Sequence, residues 1–125
     1  MKGILADCPY DVPRDIITLT ADKMGLPGKL MWPFLCLGAF LFGQGLRFGS
    51  TCCHEAVKAA RVPIEIIHGD DDRFVPASMS EPMAAANPTL VTRHTFPGAG
   101  HGMSYLMDPP RYQALTQAFI DSCLR

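Results

Sequence analysis

Three short β-rich runs, each followed by a turn and a helical stretch, restrict what this chain can fold into more than any other feature. Gly3-Ile4-Leu5-Ala6 reads as a short buried strand ending at Asp7-Cys8-Pro9. Ile64-Glu65-Ile66-Ile67-His68 is a second strand, stopped at Gly69, and Leu90-Val91-Thr92-Arg93-His94-Thr95-Phe96 alternates as a third. Continuous apolar runs closed by turn residues suit strands buried in a parallel sheet. Helical signals fill the intervals. Asp11 is the expected N-cap of a helix with Pro13 in its first turn and Ile16, Ile17 and Leu19 on its apolar face, closed by Gly25, Pro27 and Gly28. Ser50 or Thr51 is expected to cap a helix from Cys52 to Ala60, stopped by Pro63. Pro76 opens a helix through Ala86, ended by Asn87-Pro88, and Pro109 or Pro110 opens the last one through Leu124. This order predicts an α/β fold of about three parallel strands with flanking helices and right-handed crossovers.

In such a sheet the strand C-terminal ends share one edge, where the following loops converge. Two loops carry titratable groups at matching positions: His68-Gly69-Asp70-Asp71-Asp72-Arg73-Phe74-Val75-Pro76 and Phe96-Pro97-Gly98-Ala99-Gly100-His101-Gly102. One crossover separates Asp72 from His101, so adjacent strands bring them together. A carboxylate beside a histidine fixes the imidazole tautomer and stabilises the imidazolium, which lets the ring act as general base and then as general acid. Glycines around His101 permit a tight, accessible loop. Asp7 also ends a strand and is a rival acid. Asp70 reads as a turn cap, Asp71 as a surface charge, and His54, His68 and His94 as structural or exposed.

Residues 30–42 are almost uncharged. At about 13 residues the run falls short of the ~20 that a membrane-spanning helix needs, and Pro33 and Gly38 interrupt it. Three readings fit: a helix buried all round, a lid over an apolar substrate pocket, or a contact with a membrane surface.

The 125 residues suffice for one domain, and 48% hydrophobic against 18% charged residues fits a globular core. A net charge of −1, with no basic stripe, excludes nucleic acid as the expected partner. The five cysteines are odd in number and lack CxxC spacing, so reduced thiols in a cytoplasmic protein are expected. No secretory leader is read, since only Ile4-Leu5 stand between Gly3 and Ala6-Asp7. No cofactor is expected.

Two motifs carry a family resemblance. Ile66-Ile67-His68-Gly69-Asp70-Asp71-Asp72-Arg73-Phe74-Val75-Pro76 resembles the α/β-hydrolase turn that bears the catalytic acid, HGxxDxxVP. Gly98-Ala99-Gly100-His101-Gly102 resembles that family's histidine loop. The resemblance implies that Asp72 is the catalytic acid, His101 the base, and Asp70 a structural support of the turn. The opening, Gly3 to Tyr10 with Pro13-Arg14-Asp15-Ile16, is similar to the sixth-strand region of prolyl-oligopeptidase-like and BEM46-like bacterial hydrolases. The likeness covers roughly residues 1–17 and 51–125, and residues 26–50 fit as the variable cap-like helical segment that the fold tolerates. Residues 1–125 are thus expected to be the C-terminal portion of an α/β-hydrolase domain.

Triads of this family run Ser, Asp, His, with the serine in Gly-x-Ser-x-Gly on a strand-to-helix elbow. The chain has no such elbow: Ser50 is followed two residues later by Cys52, Ser104 lies in the histidine loop, and Cys8 follows a strand but precedes Pro9-Tyr10. The expectation is a serine hydrolase of small-molecule acyl esters, thioesters or amides whose nucleophile lies elsewhere, the 125-residue chain alone being inactive. The first strand would then show an apolar edge open to association. Two alternatives follow from the residues: a non-catalytic module that pairs with another subunit through that edge, and a metal site built from Asp70, Asp71, Asp72 and His101.

Overall fold

Parallel pairing of three strands organises the chain. The computed structural model describes residues 1–43 and 52–125, so the Ser50 or Thr51 cap lies outside the described residues. Strands β1 (Ile4–Asp7), β2 (Ile64–Gly69) and β3 (Val91–Phe96) form a sheet in the order β1-β2-β3. Ile4 pairs with Ile64 and Asp7 with Ile67, while Ile64 pairs with Val91 and Gly69 with Phe96. The three strands therefore start level, and β2 and β3 end level two residues beyond β1. Each expected strand is present within one residue at either end.

The chain divides into two compact units, Met1–Asp11 with Cys53–Arg125, and Val12–Cys52. In the first, β2 is central and buried at every position. Side chains alternate along a strand, so its two faces fill two cores. Ile64 and Ile66 pack with Val91 and Met83, against Val57 and Ala84 of the short helices α3 (Cys53–Lys58) and α4 (Glu81–Ala86). Ile67 packs with Phe96 and Ala99 on the other face, against Tyr112 and Leu115. Those two residues belong to α6 (Pro109–Leu124), which follows a one-turn helix, α5 (Ser104–Met107), not foreseen from the sequence. The helix expected from Pro76 to Ala86 is split into a 3-10 turn at Ala77–Ser80 and α4. Pro82, lacking an N–H, favours the restart at Glu81.

The second unit holds α1 (Pro13–Lys23) and α2 (Gly28–Leu41), which pack on each other; the described part of the 26–50 segment falls here. Two expectations change. Val12, not Asp11, is the N-cap of α1. Asp11 instead caps the start of α3, its Oδ1 accepting the His54 N–H at 2.7 Å. Gly28 does not close a helix but opens one: its N–H donates to Asp22 Oδ1 at 2.8 Å, and a Cβ there would lie 2.3 Å from the Thr18 carbonyl oxygen. Only glycine permits that approach.

The helix α2 runs through both Pro33 and Gly38. A proline removes one backbone hydrogen bond, and here the rest of the ladder carries the helix past it. Reading this segment as buried all round is corrected: Gly28, Trp32 and Cys36 are buried, while Phe34 is 70% and Phe40 76% exposed. A helix packed on one neighbour covers one stripe and leaves the opposite stripe in water. Among the described residues no helix is long and apolar enough to cross a membrane.

Candidate functional site

The loop leaving β2 folds around a carboxylate. Asp72 Oδ1 accepts the N–H of Phe74 at 2.9 Å and of Val75 at 2.8 Å, an Asx-type turn that short acidic side chains favour. This orients Oδ2 toward His101, whose Nδ1 lies 2.7 Å away. The Asp72 side chain is fully buried, whereas that of His101 is 42% exposed. Phe74 meets the His101 ring edge-on, with centroids 5.0 Å apart. The two expected site residues are thus in contact, one sealed in the protein and the other facing out.

Further contacts position this pair. Asp70 Oδ1 accepts the Gly98 N–H at 2.6 Å, tying the acid loop to the histidine loop. This is the supporting role expected of Asp70. The Asp71 N–H donates to the Ala99 carbonyl at 3.1 Å, and a Cβ on Gly69 would stand 2.2 Å from that same oxygen. Backbone meets backbone there, so the glycine is sterically required. His68 is completely buried beneath the turn, with Nε2 2.9 Å from the Val75 carbonyl oxygen and Nδ1 3.0 Å from Ser80 Oγ. Arg93 Nε donates to Ser80 Oγ at 2.8 Å and its Nη2 to the Ala77 carbonyl at 2.9 Å. Reasoning from sequence counted His68 as structural or exposed and overlooked Ser80 and Arg93. The available signal was parity: His68 shares a strand face with Ile64 and Ile66, so it points inward.

The electrostatics favour an ionised acid. Burial by itself raises the Asp72 carboxyl, but the hydrogen bond from His101 and those from Val75 and Phe74 outweigh it and hold the group below its ordinary value. With Asp72 as a carboxylate acceptor, the proton on His101 belongs on Nδ1, which leaves Nε2 as a lone-pair acceptor.

Other candidates are placed differently. Asp7, the rival acid, accepts the Tyr112 hydroxyl at 3.0 Å on Oδ2 and the Cys8 thiol at 3.3 Å on Oδ1. Burial, and then the bond to Asp7, pushes the Tyr112 hydroxyl up to about 12. Asp71 pairs with Arg73 on the surface, as expected of it. His54 is bound to Asp11 at 2.6 Å, and His94 lies 3.9 Å from Glu65. Ser104 is buried, its hydroxyl having no hydrogen-bond partner among the described residues. The metal site expected from Asp70, Asp71, Asp72 and His101 is corrected: among the described residues the donor atoms that come together are those of Cys8, Asp72 and His101, whereas Asp70 faces Gly98 and Asp71 faces Arg73.

Cys8 is the residue whose position the sequence concealed. It follows β1 with φ +49°, a conformation rare for residues other than glycine, asparagine or aspartate. Its sulfur is buried and accepts the Gly102 N–H at 3.4 Å. Burial pushes the thiol up to about 11.

No protein-family model and no curated protein matches the chain. Among solved structures it is similar to an esterase, RhEst1 from Rhodococcus sp. ECU1013, with a TM-score of 0.52 and 19% identity. The likeness covers 88% of this chain and 39% of that one, so the chain spans well under half of the esterase's length. Identity this low speaks for the fold alone: a parallel α/β architecture shared with that esterase.

Proposed function

We propose that this chain supplies the acid and the base of a serine hydrolase that cleaves ester, thioester or amide bonds of small acyl substrates. The observation that carries the reading is the 2.7 Å contact between a fully buried Asp72 carboxylate and Nδ1 of a half-exposed His101. Kinship with an esterase fold supports it at the level of a hydrolase. The narrower likeness to prolyl-oligopeptidase-like and BEM46-like enzymes rests on the opening segment, residues 1–17.

In this reading His101 Nε2 takes the proton of a serine hydroxyl as it attacks the carbonyl carbon. Asp72 holds the ring and stabilises the imidazolium, which then protonates the leaving group. The nucleophile and its oxyanion donors belong to a segment other than these residues. The β1 edge suits such a segment, since Ile4 and Leu5 are partly exposed and Gly3, Leu5, Phe119, Ile120 and Leu124 line an apolar groove beside it. A reducing, cytoplasmic setting suits the buried thiols Cys8 and Cys36.

The test starts from the coding sequence in frame upstream of Met1. A protein extended to include Gly-x-Ser-x-Gly is expected to hydrolyse p-nitrophenyl acetate. His101→Ala and Asp72→Asn should each lower kcat by about 10³–10⁴ at unchanged fold. An extended protein with that elbow whose hydrolysis ignores both substitutions sinks the reading. The same exposed edge favours a second reading, a non-catalytic module pairing with another subunit. Defined hetero-oligomers carrying no esterase activity support that one, and soluble monomers count against it.

A further inference from the structure

Each strand of the sheet delivers one metal-ligating side chain to the same edge. Cys8 follows β1, Asp72 follows β2 and His101 follows β3. Their donor atoms, Cys8 Sγ, an Asp72 carboxylate oxygen and a His101 ring nitrogen, all lie within 4.8 Å of one another. We propose that Cys8, Asp72 and His101 form a binding site for a thiophilic divalent cation of the zinc class.

The donor set decides the metal. Thiolate and imidazole select a borderline-soft ion, and a donor set with a single carboxylate disfavours calcium or magnesium, which take oxygen ligands. Zinc bonds of ~2.0–2.3 Å place tetrahedral donors roughly 3.5 Å apart. Fitting the present triangle to that spacing thus needs movements on the order of 1 Å, opening the 2.7 Å Asp72–His101 contact and drawing the longer edges in, within the reach of side-chain rotation. The Asp72 carboxylate is already oriented for ligation, since Phe74 and Val75 occupy Oδ1 and aim Oδ2 at the cluster. Such outer contacts orient ligands at established metal sites. The Cys8 sulfur and the Asp72 carboxylate are buried, while the exposed side of His101 leaves a fourth position open to water. On binding, the Cys8 S–H proton passes to solvent and the sulfur bonds the cation as thiolate. The 2.7 Å hydrogen bond between His101 Nδ1 and Asp72 Oδ2 breaks and the ring proton moves to Nε2, freeing Nδ1 and Oδ2 for the metal.

The metal and the hydrolytic pair use the same two groups, so occupancy removes His101 and Asp72 from acid–base work. The site stands without the hydrolase reading, because its test reads binding and no turnover. In a variant keeping Cys8 as the sole thiol (Cys36→Ala, Cys52→Ser, Cys53→Ser, Cys123→Ser), cobalt(II) is expected to give a thiolate-to-cobalt charge-transfer band that zinc abolishes. Adding Cys8→Ser should remove the band, and His101→Ala should weaken zinc binding at least tenfold. X-ray absorption on the zinc-loaded unmodified chain checks the site without any substitution. One sulfur at ~2.3 Å with nitrogen and oxygen at ~2.0 Å supports the proposal. Two sulfurs, which would point to the neighbouring Cys52 and Cys53, or none, overturns it, as does a folded sole-thiol variant without the band.

Discussion

Strand β2 and helix α2 begin from a similar signal, a largely apolar run, and finish in opposite surroundings. All six residues of β2 are buried, whereas α2 buries three of fourteen and exposes Leu30, Phe34, Leu37, Phe40 and Leu41. A central strand is hydrogen-bonded on both edges and covered on both faces, so each of its side chains meets a neighbour. A helix has a full circumference, and α1 covers part of it. The lesson is that an apolar run reports a demand for partners, which the tertiary structure then meets or leaves unmet.

The sharpest way to break this comparison is at the end of β2. Gly69→Ala is expected to cost about 4 kcal/mol, because the new Cβ would collide with the Ala99 backbone and separate the acid loop from the histidine loop. Chemical denaturation measures the loss, and the His101 NMR resonances should shift with it. Ile66→Ala, at a site 1% exposed, should cost about 3 kcal/mol by leaving a cavity between the sheet and α4.

Acid sharpens the contrast further. The Asp72 carboxyl is held below its ordinary value, so its contribution is complete above the unfolded value and lost as pH falls through the folded one. Unfolding followed below about pH 4 should show this loss, and Asp72→Asn should flatten it while costing about 2 kcal/mol at neutral pH. Glu65 in β2 has the opposite sign. Burial raises its carboxyl, so stability is greatest below the ordinary glutamate value and declines as pH rises through the raised one. Glu65→Gln should remove that decline, gaining about 1 kcal/mol at neutral pH and nothing in acid. Equal stability of this variant and the parent at neutral pH would mean that the carboxylate finds solvent after all.

The smallest effect is expected in α2. Phe34→Ser with Phe40→Ser should change unfolding free energy by about 0.5 kcal/mol or less, since both rings already stand in water. Binding of an apolar dye should fall at the same time. A loss as large as that of Ile66→Ala would show that this face is covered in solution.

Much of the site was legible because its signals are local. Asp72 and His101 each follow a strand, and adjacent parallel strands bring their loops together, so one crossover was enough to pair them. Asp70 was readable as a support for the same reason. Cys8 was not, because the neighbouring Pro9 and Tyr10 argue against a nucleophile elbow and no local pattern marks a thiol whose partners stand 64 and 93 residues further on. Asp11 misled in a related way. An acidic residue before Pro13 has the form of an N-cap, yet its carboxylate caps a helix that begins 42 residues later.

From its sequence alone this chain is committed to a parallel α/β sheet, to the boundaries of its strands and to an acid and a histidine at one sheet edge. Periodicity, turn residues and crossover handedness act over a few residues and a single connection. The tertiary structure alone decided that Cys8 joins that pair, that His68, Ser80 and Arg93 buttress it, that Asp11 serves α3, and that α2 keeps an apolar face in water. Each of these depends on which distant surfaces meet, and the free energy of that meeting belongs to the packed chain rather than to any stretch of it.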